Sequence, residues 1–389
     1  MMNTEEVINL EKKFVMQTYS RQPIVLSHGK GATVWDVDGK EYIDCFAGIA
    51  VNNVGHAHPK VALALCYQSQ RLIHASNIYY TQEQAELAQL LTQISRHDRV
   101  FFANSGAEAN EAAIKLARKF TGKSEIISAD NSFHGRTLAT VTATGTDKYS
   151  EPFKPLPEGF KRVPFGDIKA LAEAITEDTA AVIIEAIQGE GGVNLPPEGY
   201  LKDVESLCDQ RDVLFILDEV QTGFGRTGEM FAADLYDIQP DMSTIAKALG
   251  GGYPIAALLA NERIAKGFEA GDHGTTFGGN PLGCAAAIAS IEVLQDENLP
   301  HKSKELGDYF IDKLAEIAEK HESIAQIRDI GLMIGIELNQ DGAEIVDKCR
   351  EEGVLVNCTA GNVIRLTPPL VIKKEQIDKV VEVLDKVLP

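Results

Sequence analysis

The sequence predicts an α/β protein, with a mainly parallel central sheet flanked by helices and a smaller C-terminal α+β domain. Three observations predict it. From about residue 60 the chain alternates helical and strand-like patterns, which requires crossover helices between parallel strands. Several apolar runs end in polar, glycine-containing loops, the way open α/β sheets build ligand sites outside their carboxyl ends. Past Pro281 the pattern turns mainly helical, returns to short strands near 333–336 and 354–356, and closes on an amphipathic helix. The expected division is an N-terminal segment 1–55, a large α/β domain 56–285 and a small domain 286–389.

In order along the chain, segment 1–55 opens with a helical stretch. Two strand signals follow, Ala32-Thr33-Val34-Trp35-Asp36 and Glu41-Tyr42-Ile43-Asp44. Asp38-Gly39 between them suits a turn that needs positive φ, so the pair reads as a hairpin. In the middle region, Val100-Phe101-Phe102-Ala103 runs into Asn104-Ser105-Gly106. Ile126-Ile127-Ser128-Ala129 precedes Asn131-Ser132-Phe133-His134-Gly135-Arg136. Ala181-Val182-Ile183-Ile184 leads to Glu185 and then Gln188-Gly189-Glu190-Gly191-Gly192. Val213-Leu214-Phe215-Ile216-Leu217 leads to Asp218-Glu219-Val220-Gln221. One composite small-molecule site is expected where these loops meet.

Composition narrows the function classes. The 389 residues are 44% hydrophobic and 24% charged, which excludes a disordered, collagen-like or disulfide-scaffold chain. A formal net charge of −20 argues against nucleic acid as a partner. No apolar run approaches the ~20 residues of a membrane helix, and Met1-Met2-Asn3-Thr4-Glu5-Glu6 lacks the basic start of an export signal. The six cysteines form no CxxC pair and read as buried, reduced thiols of a cytoplasmic protein. His56 and His58 have no third ligand at a recognisable spacing, so they read as loop packing and no metal is expected.

Four features bear on chemistry. Ser105-Gly106-Ala107 opens an amphipathic helix, so its free backbone N–H groups suit a phosphate, though taken alone the string reads better as an ordinary N-cap with Glu108. Asp218 at a strand end suits a metal, a cationic ring nitrogen or solvent; no Walker-type loop supports the first. Gly223-Phe224-Gly225-Arg226-Thr227-Gly228 matches G-x-G-x-x-G, but five residues past the strand and without a strong helix after it, unlike a dinucleotide fingerprint. Lys247 stands alone in an apolar segment before Gly250-Gly251-Gly252, which suits either a Schiff-base lysine or a lysine that snorkels from a helix end.

Together these strings, with Thr-Thr-Phe-Gly-Gly-Asn-Pro-Leu at 275–282, occur in the order found in class-III aminotransferases, and the chain resembles that family from Trp35 to Pro369. The resemblance implies fold type I and pyridoxal 5′-phosphate as cofactor. It implies that Lys247 links covalently to the cofactor and moves the proton, and that Asp218 holds the ring nitrogen protonated. Ser105, Gly106 and Ala107 would cradle the phosphate, Phe133 would stack on the ring, and Gln221 would reach its phenolic oxygen. Glu219 and Val220 fall in the same cofactor-binding stretch. Thr276 would complete the phosphate site of a second subunit, giving a homodimer with shared sites, with Thr275 near the substrate. One departure stands out: Ala186 replaces the proline usual in the family's Glu-Pro-Ile-Gln-Gly-Glu, which frees a φ angle.

The same resemblance bears on the substrates. Arg136 and Arg365 would hold the two carboxylates of glutamate, the shared partner of 2-oxoglutarate. Glu190 matches the family residue that neutralises the arginine at 365. Tyr19 and Ile49 would line the substrate site, and Ile49 stands where ornithine aminotransferases resemble one another in having tyrosine. The implied donor is an N-acylated ornithine, N2-acetylornithine first, with its δ-amine transferred. Succinylornithine, ornithine, 4-aminobutyrate and N-protected lysine precursors stay open, as do a decarboxylase or aminomutase using the same cofactor, a NAD dehydrogenase built on Gly223–Gly228 and a non-catalytic binding protein.

Overall fold

In the computed structural model, which describes residues 2–389, a seven-stranded sheet occupies the middle of the chain. Across the sheet the strands run Arg99–Ala103, Ala256–Ala260, Met242–Ile245, Leu214–Asp218, Thr179–Glu185, Glu125–Ala129 and Phe160–Val163. Ala256–Ala260 is antiparallel to both neighbours, and the remaining pairs are parallel. Every residue of Thr179–Glu185 and Leu214–Asp218 is buried, as expected of strands covered on both faces. This is why they read as unbroken apolar runs.

The helix Gly106–Thr121 packs on this sheet through Leu116 and through Ala109, Ala112, Ala113 and Ala117, whose small side chains allow a close approach. The Ser105 hydroxyl accepts the Glu108 amide at 3.3 Å, while the Glu108 carboxylate accepts the Asn104 amide at 2.7 Å. The helix stops at Gly122, whose φ of 71° fits a left-handed cap.

A second sheet joins the two ends of the chain. The expected hairpin forms between Thr33–Asp36 and Glu41–Asp44, with Gly39 at φ 84°. Leu26–Lys30 adds an edge strand, and Val354–Leu355 pairs in parallel with Glu41–Asp44 from the far end of the chain. A third sheet, ordered Ile324–Ile330, Met333–Leu338, Val363–Leu366 and Asn357–Thr359, lies under Leu299–Ala318, and the closing helix Lys374–Val387 packs on that helix and on Ala343–Glu351. That last helix buries Ile377, Val380, Val383, Leu384 and Val387, one apolar face. Pro281–Asp296 packs instead on Pro59–Ser69 and Gln82–Ile94.

The G-x-G-x-x-G string is a structural joint. The guanidinium of Arg226, fully buried, donates to Leu332 O, Pro368 O and Asn53 Oδ1 at 2.6–2.8 Å. Burial lowers its pKa to about 9, with the nearby Asp44 opposing. The loop therefore fastens the N-terminal segment and the C-terminal sheet to the central one. The histidines also have polar partners: His56 meets Asp44 at 2.6 Å, and His58 meets Glu297 at 3.2 Å. Among the described residues no group of three candidate ligands could hold a metal ion, and no helix is long and apolar enough to cross a membrane. The expectation of six buried thiols needs correction, since Cys66 is exposed on Pro59–Ser69 and Cys358 is half-buried.

The sequence gives no hint of one local feature. Ala47, Gly48, Ile49 and Ala50 all take positive φ, 49°, 65°, 69° and 57°, which makes a left-handed turn. Left-handed backbone costs roughly 1–2 kcal/mol per non-glycine residue, so the turn is held from outside. Asp44 Oδ1 accepts the amides of Phe46 and Ala47 at 2.8 and 2.9 Å, and Ala47 O accepts those of Val51 and Asn52. Gly48, exposed, is the one residue that fits this conformation freely. Gly48→Ala should therefore destabilise the protein by about 1–2 kcal/mol in chemical denaturation, although alanine is the better helix former. A neutral or stabilising effect would contradict a left-handed turn.

Candidate active site

The carboxyl ends of five parallel strands converge on one cavity of ≈ 430 Å³. Arg99–Ala103 delivers Asn104 to Ala107, Glu125–Ala129 delivers Phe133 to Arg136, and Thr179–Glu185 delivers Glu185 and Glu190. Leu214–Asp218 delivers Asp218, Val220 and Gln221, and Met242–Ile245 delivers Ala246 and Lys247. The cavity thus lies where open α/β sheets place ligands.

Asp218, 3% exposed, is fixed from three sides. Its Oδ2 accepts Asn110 Nδ2 and bonds His134 Nδ1, each at 2.8 Å, and its Oδ1 accepts the Val220 amide at 3.0 Å. Burial pulls the His134 pKa down, but the hydrogen bond and charge of Asp218, with the charge of Glu185, outweigh it and leave the imidazole above its ordinary value. Neither His134 nor Asn110 stands out in the sequence. Each lies inside a motif, and only the fold shows that both grip Asp218.

Lys247 begins a short 3₁₀ turn, Lys247–Gly250, in a left-handed conformation at φ 43°, an unusual posture for lysine. It keeps some opening to the cavity. Even so, desolvation lowers its pKa from 10.5 to about 8; Arg365 adds to the fall, while Glu190, Asp218 and Glu185 oppose it. Gly252 lines the cavity at φ 113°, which only glycine adopts easily.

Arg365 projects from the strand Val363–Leu366 of the third sheet and is 1% exposed. Its Nη1 donates to Glu190 Oε1 at 2.6 Å, Gly189 O at 3.0 Å and Gln221 Oε1 at 3.3 Å, and its Nε donates to Asn357 Oδ1 at 3.2 Å. Glu190 and Gln221 line the cavity, whereas Arg365 does not. Burial raises the Glu190 pKa, but Arg365 and then Lys247 override it, so the carboxyl lies below its ordinary value. Arg136 is exposed and lies over the rings of Tyr149 and Phe133, 3.9 and 5.4 Å from their centroids.

Several expected residues lie elsewhere. Glu219 faces away from the cavity: it accepts the Ala232 and Ala233 amides and the Thr222 hydroxyl, and burial raises its pKa to about 7. It caps the helix Ala232–Leu235, which corrects its expected cofactor role. Thr275 bonds Asn104 Nδ2 at 3.0 Å, outside the cavity, and Thr276 is exposed beside it. Tyr19 and Ile49 are exposed and do not line the cavity; Val51 does.

A doubly wound sheet thus turns an amine, a buried carboxylate and a helix N-terminus toward one cavity, a donor set that suits a phosphate-bearing cofactor. The class-III aminotransferase family model matches residues 15–388, and the chain belongs to that family. It is 70% identical over 387 residues to the acetylornithine aminotransferase of Methanothermobacter thermautotrophicus, covering 100% of this chain and 99% of the relative. It is 55% identical to that of Methanocaldococcus jannaschii, covering 99% and 98% of the two chains. The fold is similar to ornithine aminotransferase from Toxoplasma gondii, with TM-score 0.96, 37% identity and 100% and 95% coverage. It is also similar to acetylornithine aminotransferase from Elizabethkingia anophelis, with TM-score 0.90, 38% identity and 100% and 99% coverage.

The family's cofactor is pyridoxal 5′-phosphate, and the cavity's donor set fits it. Amides at the start of Gly106–Thr121 suit the phosphate, Asp218 suits a protonated ring nitrogen, and Lys247 suits an aldehyde. At Gly106 a Cβ would approach Val220 Cγ1 within 2.8 Å, so the cradle tolerates no side chain there. With its pKa near 8, Lys247 of the cofactor-free enzyme should capture pyridoxal phosphate at a rate that rises with pH through a midpoint near 8. A midpoint near 10.5, the ordinary lysine value, would contradict the lowered pKa.

Proposed function

We propose that this chain transfers the δ-amino group of N2-acetyl-L-ornithine to 2-oxoglutarate, giving N-acetyl-L-glutamate 5-semialdehyde and L-glutamate. The observation that carries this reading is Arg365, buried and matched by Glu190, with an exposed Arg136 lining the same cavity as Glu190. An ω-amine donor brings no carboxylate next to its reacting carbon, so one arginine must already be neutralised. Glutamate brings two carboxylates and uses both arginines. The acetylornithine aminotransferases at 70% and 55% identity support the same donor.

Pyridoxal phosphate supplies an aldehyde that takes up the amino group and a ring that withdraws electrons from the carbon being deprotonated. The chain supplies the rest. The Ser105–Ala107 amides would hold the phosphate, Phe133 would cover the ring, Gln221 would reach the phenolic oxygen, and Asp218 would keep a proton on the ring nitrogen. Lys247 Nζ would hold the cofactor's aldehyde carbon at rest. Once free, its amine would take the proton from the substrate carbon that bears the amino group and deliver it to the cofactor's former aldehyde carbon. With acetylornithine, Arg136 holds the α-carboxylate and Glu190 stays on Arg365. With glutamate, the α-carboxylate displaces Glu190 from Arg365, and Arg136 holds the γ-carboxylate.

The enzyme is a cytoplasmic homodimer with shared sites in this reading. The free cysteines are consistent with a reducing compartment. Ile78, Tyr79 and Tyr80 are exposed on one loop and Phe277 is exposed next to Thr276 on another, and Asn77 Nδ2 donates to Gly278 O at 2.9 Å, which docks the two loops together. Such an apolar rim suits a second copy of the chain, whose phosphate site Thr276 completes.

The experiment uses acetylornithine labelled with ¹⁵N at the δ-position and unlabelled 2-oxoglutarate. The label should appear in glutamate, and succinylornithine, ornithine and 4-aminobutyrate should react more slowly. Faster transfer from one of these donors, or label left on the donor, would overturn the assignment.

A further inference from the structure

Glu185 has no part in the mechanism above, yet it lines the cavity at 6% exposure. It ends the strand Thr179–Glu185 in register with Asp218, so two carboxylates stand side by side at the sheet edge. Burial raises the Glu185 pKa to about 7; the Asp218 charge adds to this, while His134 and two backbone amides oppose it. A buried carboxylate beside another is costly unless its oxygens have work to do.

Those oxygens hold two different loops. Oε1 accepts the Phe133 amide at 2.8 Å, and Oε2 accepts the Gly189 amide at 3.2 Å. Phe133 begins the arm that ends at Arg136, whose guanidinium lies over the Phe133 ring. Gly189 precedes Glu190, and its carbonyl accepts Arg365 Nη1. A Cβ at Gly189 would lie 2.4 Å from Gln221 Oε1, so this backbone is pinned on its other side as well. Gln188 ties the same loops outside the cavity, through Asp130 O at 2.7 Å.

We propose that Glu185 is a positioning residue that clamps the Arg136 arm to the Glu190–Arg365 arm and so sets the carboxylate-to-carboxylate span the site accepts. The proposal rests on the two-arginine reading of the substrate site. A carboxylate is needed because both oxygens must accept. Glutamine offers one acceptor and turns its NH₂ toward the other amide. The clamp also lets the Glu190 side chain leave Arg365 while its backbone stays in place.

The test compares Glu185→Gln with the native holoenzyme on glutamate, the one-carbon-shorter aspartate and the one-carbon-longer 2-aminoadipate. Glutamate's advantage in single-turnover kcat/KM over both neighbours should fall by about tenfold, the scale of one lost charged hydrogen bond. In parallel, hydrogen exchange at the Phe133 and Gly189 amides should speed up. An equal loss for all three amino acids overturns the proposal, because a general structural defect would not change their ratio. Unchanged amide protection overturns it too. If Glu185→Gln fails to fold, Glu185→Asp serves, since it keeps both oxygens but shortens their reach. Failure of the native enzyme to use glutamate counts against the proposed function, and hydrogen exchange then decides the clamp alone.

Discussion

The guanidinium of Arg365, sealed at 1% exposure, has the Glu190 carboxylate as its counter-ion, and the site is arranged around that pair. Leaving it unpaired would cost several kcal/mol, on the order of what holds a whole domain folded. Arg365 belongs to the third sheet, and Glu190 belongs to a loop of the central sheet, so their ion pair also joins two parts of the chain. In the proposed exchange the neutral acceptors Gly189 O, Gln221 Oε1 and Asn357 Oδ1, which bond the guanidinium alongside Glu190, have no need to leave it. Only the carboxylate needs to be exchanged. A site that serves two substrates of different charge then needs one side chain to move.

The other charges follow from that choice. Lys247 lies among Glu190, Asp218 and Glu185 on one side of the balance and Arg365 and desolvation on the other; desolvation prevails, and the amine becomes reactive near neutral pH. Asp218 stays in place because Asn110, His134 and the Val220 amide occupy it from three directions. Arg226 does comparable work away from the cavity. It binds the carbonyls of Leu332 and Pro368, just beyond the Ile334–Leu366 end of the strand pair, and so holds the end of the strand that presents the guanidinium. Strain is carried next door, in the left-handed turn Ala47–Ala50 and at Lys247 itself.

Much of this was legible in the sequence because burial on both faces turns central strands into apolar runs, and an isolated charge at the end of such a run is conspicuous. Asp218 and Lys247 are the clearest cases. Glu219 misled for a simple reason: side chains alternate along extended backbone, so the neighbour of a cavity residue faces the other way. The edge strand Leu26–Lys30 is exposed and polar in places, and Val354–Leu355 finds its partner some three hundred residues away, so neither pairing leaves a local pattern. The turn at Ala47–Ala50 is spelled in small apolar residues that look helical. Cys66 lies on the exposed face of a helix that carries little amphipathic signal. Tyr19, Ile49, Thr275 and Thr276 do not line the cavity of one chain, and motif order alone does not say which residues a single chain brings together.

The most direct test of the account is to remove the Glu190 charge while keeping its shape. Glu190→Gln leaves Arg365 without its resting counter-ion. The acetylornithine half-reaction, measured in a single turnover, should slow by about 5–150-fold, which corresponds to about 1–3 kcal/mol for one member of a charged pair. The glutamate half-reaction should be unchanged or faster, because no ion pair has to open before the α-carboxylate binds. Equal losses in both half-reactions would mean that Glu190 only shapes its glycine-rich loop, and would contradict the exchange of carboxylates at Arg365.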